Sequence, residues 1–370
     1  MCIHTHLAAY HLVTFHTFMI HFLIATTISF ILTIPTIIFA VKYGLVTNAD
    51  NKKHPAHTHV GVIPRGGGLP IYLSILITAA LFVPFGKILI FVLIAGALLV
   101  IVGLIDDKYD ISPYVRLISN FVIAAVAIAG GIGIPYISNP FGAPLSLMQP
   151  QIAFSFFGTH TIWIIADLLA LFWLVGMMNV TNWSKGIDGQ LPAFVFIACI
   201  FLALITKRFS GYSIDAAHTR TLATIVAGAF LGFLPWNFYP QRIMPGYGGG
   251  TLAGFMLGVL TILSFGKVGT LLLVLSMPLL DGFYTIVRRI HNKKNPFRGD
   301  ANHLHHLLLR RGWHKRTIVL LYIAISTVCG LLSLILPNSF EKLIAIVLVY
   351  TVLFAWIYQL SLEDAQRKRV

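Results

Sequence analysis

Asp106, Asp107 and Asp110 stand together in the stretch 103–113, and they are three of only 12 acidic residues in a chain of 370. Adjacent carboxylates repel each other, and beside an apolar span they are costly unless a cation, a proton or a basic partner is held there. A solvated loop end that happens to be acidic is the plainer reading. Two further polar clusters weigh against it. One reads Asn179-Val180-Thr181-Asn182-Trp183-Ser184-Lys185-Gly186-Ile187-Asp188-Gly189 and follows an apolar segment directly. Its amides, acid, cation and glycines suit a nucleoside diphosphate, because amides and acids can meet ribose, base and metal while glycines permit close approach. The other reads Asn302-His303-Leu304-His305-His306, set among arginines. Three histidines at this spacing cannot share one helix face. They suit a loop or helix start, where they could hold a metal or bridge phosphate oxygens that also meet free backbone N–H groups.

Three weaker signals accompany these. Pro64-Arg65-Gly66-Gly67-Gly68 and Pro245-Gly246-Tyr247-Gly248-Gly249-Gly250 precede apolar segments. A glycine run of this kind serves either a close approach to a phosphate or a helix-start turn, with nothing in the first run to choose between them. Asp281 lies inside an apolar segment, ahead of Arg288 and Arg289. It is either a buried ion pair with a neighbouring helix or a functional group, and its cost in a membrane favours function.

The elements that must position these residues are apolar. Hydrophobic residues make up 57% of the chain, charged residues 10%, and the mean hydropathy is +0.85. Soluble domains carry about 25% charged residues, so the composition excludes a large soluble fold. Segments near the length of roughly 20 residues needed to cross a bilayer fall at 18–41, 68–86, 87–105, 115–134, 162–180, 190–206, 216–236, 250–266, 268–287, 317–336 and 340–360. The expectation is an all-α polytopic membrane protein with about ten or eleven transmembrane helices and cytoplasmic catalytic loops. Residues 131–161 lack Asp, Glu, Lys and Arg and are rich in Pro and Gly, which predicts a loop or short hairpin.

With the N-terminus outside, 20 of the 26 Lys and Arg residues face the cytoplasm and 6 face away. That split predicts N-out, C-in topology, with the loops at 42–67, 106–115, 181–189, 237–249 and 288–316 on the cytoplasmic face. The net charge of +14 therefore gathers where anionic head groups or a phosphorylated substrate would be met. Nucleic acid is excluded as a partner, because the basic residues are divided among short loops. Cys2, Cys199 and Cys329 have no metal or disulfide spacing. The N-terminus lacks a basic n-region and a small-residue cleavage site, so 18–41 reads as a retained span. Five histidines (His4, His6, His11, His16, His21) mark residues 1–17 and the start of that span. The reading is a His-rich extension over 1–17, one integral-membrane domain over 18–360 and a basic cytoplasmic tail over 361–370.

Taken in order, these motifs resemble those of the polyprenyl-phosphate N-acetylhexosamine-1-phosphate transferases, glycosyltransferase family 4. The resemblance runs from about residue 40 to the end. It rests on the Pro-Arg-Gly-Gly-Gly loop, the Asp-Asp-x-x-Asp loop, the Asn-x-x-Asn-x-x-x-Gly-x-Asp-Gly loop, Asp281 with its arginines, and His303-x-His305-His306. The histidine pattern is similar to the bacterial GlcNAc-1-phosphate branch and less similar to the muramyl-pentapeptide branch, which has three consecutive histidines.

The resemblance implies transfer of a HexNAc-1-phosphate, GlcNAc-1-phosphate first, from a UDP-sugar to polyprenyl (undecaprenyl) phosphate. UMP is released, and a cell-envelope glycan is started. It implies Asp106, Asp107 and Arg116 as catalytic residues. Lys53, Arg65, Lys185, Asp188, Asp281, His303, His305 and His306 are implied as substrate-binding residues. Asn182 and Asp188 would hold Mg²⁺, or Mn²⁺ in its place. The implied setting is a multi-pass protein of the plasma (inner) membrane with a cytoplasmic active site, and a homodimer is compatible with it. Two positions depart from the family pattern. Lys185 stands where the family usually has Asp, and Tyr247 where the family has a Mg²⁺-binding Asp. Tyr is a poor Mg²⁺ ligand. A catalytically silent relative that binds UDP-sugar or lipid phosphate, and a muramyl-pentapeptide phosphotransferase, stay open as alternatives. A transporter is disfavoured, because the ionisable residues gather at one face rather than at the midplane.

Overall fold

The computed structural model describes residues 2–48, 61–155, 159–208, 214–264, 268–293, 302–336 and 338–367. In chain order the elements are α1 (Cys2–Lys42), β1 (Val46–Asn48), β2 (Val62–Pro64), α2 (Gly68–Phe82), α3 (Lys87–Tyr109), α4 (Pro113–Ala129), β3 (Tyr136–Ile137), β4 (Leu145–Ser146), β5 (Gln151–Ser155) and β6 (Thr159–Trp163). They continue with α5 (Ile164–Trp183), α6 (Gln190–Lys207), α7 (Ile214–Asn237), α8 (Gly246–Leu263), α9 (Val268–Val274), α10 (Ser276–His291), α11 (Leu304–Arg310), α12 (Lys315–Ile335) and α13 (Ser339–Arg367). Among the described residues the strands pair as three antiparallel two-stranded hairpins, β1–β2, β3–β4 and β5–β6. The last two hairpins occupy the uncharged Pro/Gly segment, as its composition predicts.

Every predicted apolar segment carries helix. Among the described residues eight helices are long and apolar enough to cross a membrane, α2 and α4 are shorter apolar helices, and α9 with α10 forms a pair bent by 83°. The chain is an all-α polytopic membrane protein. The bent pair corrects the single span expected over 268–287. Pro278 has no N–H to offer the carbonyl of Val274, so the α9 ladder cannot run on into α10. Two other boundaries move. The first helix continues back to Cys2, so 2–17 is a helical extension of the span. Helix α13 continues to Arg367, so the tail begins as helix.

Helix α8 is the centre of the bundle. It is buried along nearly its whole length and packs against α2, α3, α5, α6 and α7. Small residues allow this closeness. A Cβ on Gly103 would lie 2.3 Å from Gly248 Cα, and one on Gly68 would lie 2.5 Å from Gly249 N. Helices approach so nearly only where no side chain intervenes. Gly68 of the Gly66-Gly67-Gly68 run therefore serves helix packing. By contrast α1 and α13 have mostly exposed apolar surfaces, such as Ile31, Ile38, Leu348 and Val352, which fits a position facing lipid.

Candidate active site

The acid cluster sits at the C-terminal end of α3 and is closed by α4. Ser112 caps α4 by accepting from Val115 N, and Pro113 opens the helix, so the chain turns back sharply after Tyr109. Asp110 takes a left-handed conformation at this turn (φ 50°). The turn brings Arg116 onto the motif. Its Nε donates to Asp106 Oδ1 and its Nη2 to Asp110 Oδ1, each at 2.5 Å. Asp106 and Asp107 are 1% and 5% exposed. Buried charges persist only when paired, and here the partners are Arg116 for Asp106 and Arg65 Nε, 3.2 Å from Asp107 Oδ1. Asp107 Oδ1 also accepts from Tyr247 N at 3.0 Å, whereas Asp107 Oδ2 is buried without a hydrogen-bond partner.

The first turn of α8 meets this carboxylate. The predicted span 250–266 begins four residues early, because Gly246-Tyr247-Gly248-Gly249 is helical rather than loop. Only glycine suits position 246. Its φ is +69°, and a Cβ there would lie 2.0 Å from Asp107 Oδ2. Gly246 O accepts from Lys185 Nζ at 2.7 Å. The Tyr247 ring lies between two cations, with Arg116 Cζ 5.5 Å and Lys185 Nζ 5.9 Å from its centre. Its hydroxyl is 3.1 Å from Asn120 Oδ1 and 3.3 Å from Arg116 O, either of which can accept its proton. Desolvation pushes the Lys185 ammonium down to about 7, with Arg65 and Arg116 adding to the effect and Asp107 and Asp106 opposing it.

The histidines come from the start of α11 and meet the loop after Lys185 at Gly186. A Cβ on Gly186 would lie 2.0 Å from His305 Nε2, so the glycine makes room for that ring. His303 caps α11, with His305 and His306 in its first turn. Asp281 fixes this cap. Its Oδ2 is 2.9 Å from His303 Nδ1, and its Oδ1 accepts from Leu304 N at 2.7 Å. Thus Asp281 is the partner of a neighbouring element and, through it, a positioning residue of the histidine loop. The His303 and His305 rings are parallel, with centres 5.7 Å apart, and His305 and His306 centres are 4.2 Å apart. Burial, then His306 and His303 beside it, hold the His305 imidazole well below its usual range. It is neutral at pH 7 and presents one N–H donor, and neither ring nitrogen has a partner.

A hard divalent ion asks for oxygen ligands. Asn182 Oδ1 and Asp107 Oδ2 are both buried without a partner. They abut Gly250 and Gly246, four residues apart at the start of α8. Both are oxygen donors of the kind that Mg²⁺ takes. Among the described residues no group of three or more His, Cys, Asp or Glu side chains converges on a metal position. Asp188 Oδ1 is held by Lys315 Nζ at 3.0 Å, so Asp107 offers the more open oxygen beside Asn182.

The sequence-derived residues therefore fall at one end of the bundle, and Lys53 alone among them lies outside the described residues. Asp106, Asp107, Arg65, Arg116 and Lys185 form one charged centre; Asn182 borders it through α8, and His305 through Gly186. Asn120, Lys315 and Asp110 went unassigned in the sequence, although each holds a site residue. The third aspartate of Asp-Asp-x-x-Asp was the available signal for Asp110. Nothing local marks Asn120 or Lys315.

Fold and site together define a polytopic membrane protein with a buried acid pair ringed by Arg65, Arg116 and Lys185. Comparison with known proteins places that class. The sequence pattern of glycosyl transferase family 4 matches residues 89–265. The chain is 26% identical to the probable undecaprenyl-phosphate N-acetylglucosaminyl 1-phosphate transferase of Bacillus subtilis, over 81% of this chain and 79% of the relative. It is 29% identical to the decaprenyl-phosphate N-acetylglucosaminephosphotransferase of Mycobacterium leprae, over 73% and 72%. It is 28% identical to the undecaprenyl-phosphate alpha-N-acetylglucosaminyl 1-phosphate transferase of Thermotoga maritima, over 83% and 87%. Over residues 89–265 the chain is therefore similar to glycosyl transferase family 4.

Proposed function

We propose that the protein transfers GlcNAc-1-phosphate from UDP-GlcNAc to a polyprenyl phosphate, the acceptor class named in its relatives. The observation that carries this reading is the convergence of Asp107 with Arg65, Arg116, Lys185 and the buried His305 loop at one end of an apolar bundle. Both reactants are anions. Cations in a low-dielectric enclosure offset their repulsion and stabilise the phosphoryl group in flight. An oxygen of the lipid phosphate attacks the β-phosphorus of the UDP-sugar, the bond from that phosphorus to the bridging oxygen breaks, and the electron pair leaves with UMP. Asp107 Oδ2 receives the last proton of the attacking phosphate. Arg116 holds Asp106 in place beside it, and the neutral His305 donates a hydrogen bond to the diphosphate. Asn182 and Asp107 would hold Mg²⁺, whose chemistry there would be positive charge against the diphosphate.

The 20-to-6 distribution of Lys and Arg supports a site on the cytoplasmic face. The lipid phosphate would then lie at the interface while its tail lies among the apolar helices. The test is purified protein with polyprenyl phosphate and a panel of UDP-sugars, with lipid product and UMP both measured. UDP-GlcNAc should be the preferred donor. Retained UDP-GlcNAc binding with no product at any Mg²⁺ or Mn²⁺ level would point instead to a silent binding protein, the reading that Lys185 and Tyr247 would favour. Preference for a UDP-muramyl-pentapeptide would move the chain to the other branch.

A further inference from the structure

Lys185 and Tyr247 lie far apart in sequence and meet at Gly246. The lysine ammonium donates to Gly246 O and sits against the Tyr247 ring, and the next backbone N–H donates to Asp107. The ring is fixed from its far end by Asn120. An ammonium has three donors, and a single carbonyl takes one of them. No carboxylate lies within ion-pair distance of Lys185 among the described residues, so its charge is directed into the centre rather than cancelled there. Asp107 Oδ2, on the other side of Gly246, is the buried oxygen without a partner. That oxygen is also the one a divalent ion would use with Asn182.

We propose that the Lys185 ammonium, seated by Tyr247, acts as a built-in cation that competes with a divalent metal ion for the field of Asp107. The consequence for turnover rests on the transfer reaction proposed above; the competition itself does not. Two cations near one carboxylate repel each other strongly where water is scarce. Metal binding to the resting protein should therefore be weak, and removing the ammonium should strengthen it. The direction is diagnostic. If Lys185 merely braced the loop, its loss would loosen Asn182 and weaken metal binding.

The experiment uses full-length protein in nanodiscs without substrate, below pH 7 where the ammonium is present, with Mn²⁺ as the probe and bound Mn²⁺ read by electron paramagnetic resonance. Lys185→Gln and Lys185→Met should each bind Mn²⁺ about tenfold more tightly than wild type, a gain of the size set by removing one nearby unit charge. Lys185→Arg should keep the weak binding. Adding Asp107→Asn to Lys185→Gln should abolish the gain. Unchanged or weaker Mn²⁺ binding in both neutral variants, with wild-type thermal midpoints, would overturn the proposal. If one neutral variant fails to fold, the other decides. Absence of sugar transfer by wild type would sink the proposed function while leaving the Mn²⁺ result to be judged alone.

Discussion

Replacing Asp107 by Asn separates chemistry from folding. The carboxylate makes its bonds through one oxygen. Asp107 Oδ1 accepts from Tyr247 N and faces Arg65, while Oδ2 has no hydrogen-bond partner. The asparagine carbonyl can keep the Tyr247 bond, and its amide group can take the place of Oδ2 without losing a partner. Two cations lose a counter-charge. Arg65 is 26% exposed and stays solvated, and Lys185 with a pKa of about 7 can release its proton. The expected stability loss is therefore about 1–2 kcal/mol, the scale of a weakened charged hydrogen bond. The expected loss of turnover is about 10²- to 10⁴-fold, the range for removing an acid–base group, or about 2.7 to 5.4 kcal/mol of barrier. Radiolabel transfer to extracted lipid, with a thermal melt of the same preparation, measures both. A folded Asp107→Asn protein with turnover within about threefold of wild type, far below that range, would remove Asp107 from the chemistry.

Further expectations follow from neighbouring contacts. Asp106→Asn should lose transfer to a similar degree, because the Arg116 clamp loses its charged partner at 2.5 Å; kinetics beside a melt would show it. His305→Ala should raise the KM for UDP-sugar about tenfold or more, the worth of one hydrogen bond to a charged group. It should lower the melting midpoint only by the packing of the buried ring, because neither ring nitrogen has a hydrogen bond to lose. For Lys185 the sign is fixed by a pKa lowered to about 7. The cation is present below that pH and lost above it, so kcat/KM should fall as pH rises through about 7, and Lys185→Arg should move the fall to higher pH. A profile flat through this range would detach Lys185 from the reaction. Cysteines placed at Lys108 and Lys294 should label from the same side of the membrane, opposite to one at Lys87; labelling of Lys108 and Lys294 positions from opposite sides would break the topology.

Much of the architecture was legible because hydrophobic run length and Lys/Arg placement are local properties. All eleven apolar segments became helix, and the charged motifs fell at one end. The bend between α9 and α10 was hidden because a run of apolar residues around Pro278 reads like any other span until its missing N–H is considered. The glycine runs were ambiguous because packing and phosphate approach ask for the same residue, and only the contact of Gly68 with Gly249 separates them. In the site, residue types pointed to Asp106, Asp107 and the histidines. The pairings of Asn120 with Tyr247, Lys315 with Asp188 and Lys185 with Gly246 join distant segments, and no local pattern encodes them.

The central claim is that the sugar travels with the β-phosphate. UDP-GlcNAc labelled with radioactive phosphorus at the β position, incubated with the protein and polyprenyl phosphate, tests it directly. The account predicts that label enters the lipid fraction in step with release of unlabelled UMP. Label appearing in UDP, with unlabelled phosphate in a sugar-bearing lipid, would mean that the sugar alone is transferred and would contradict it.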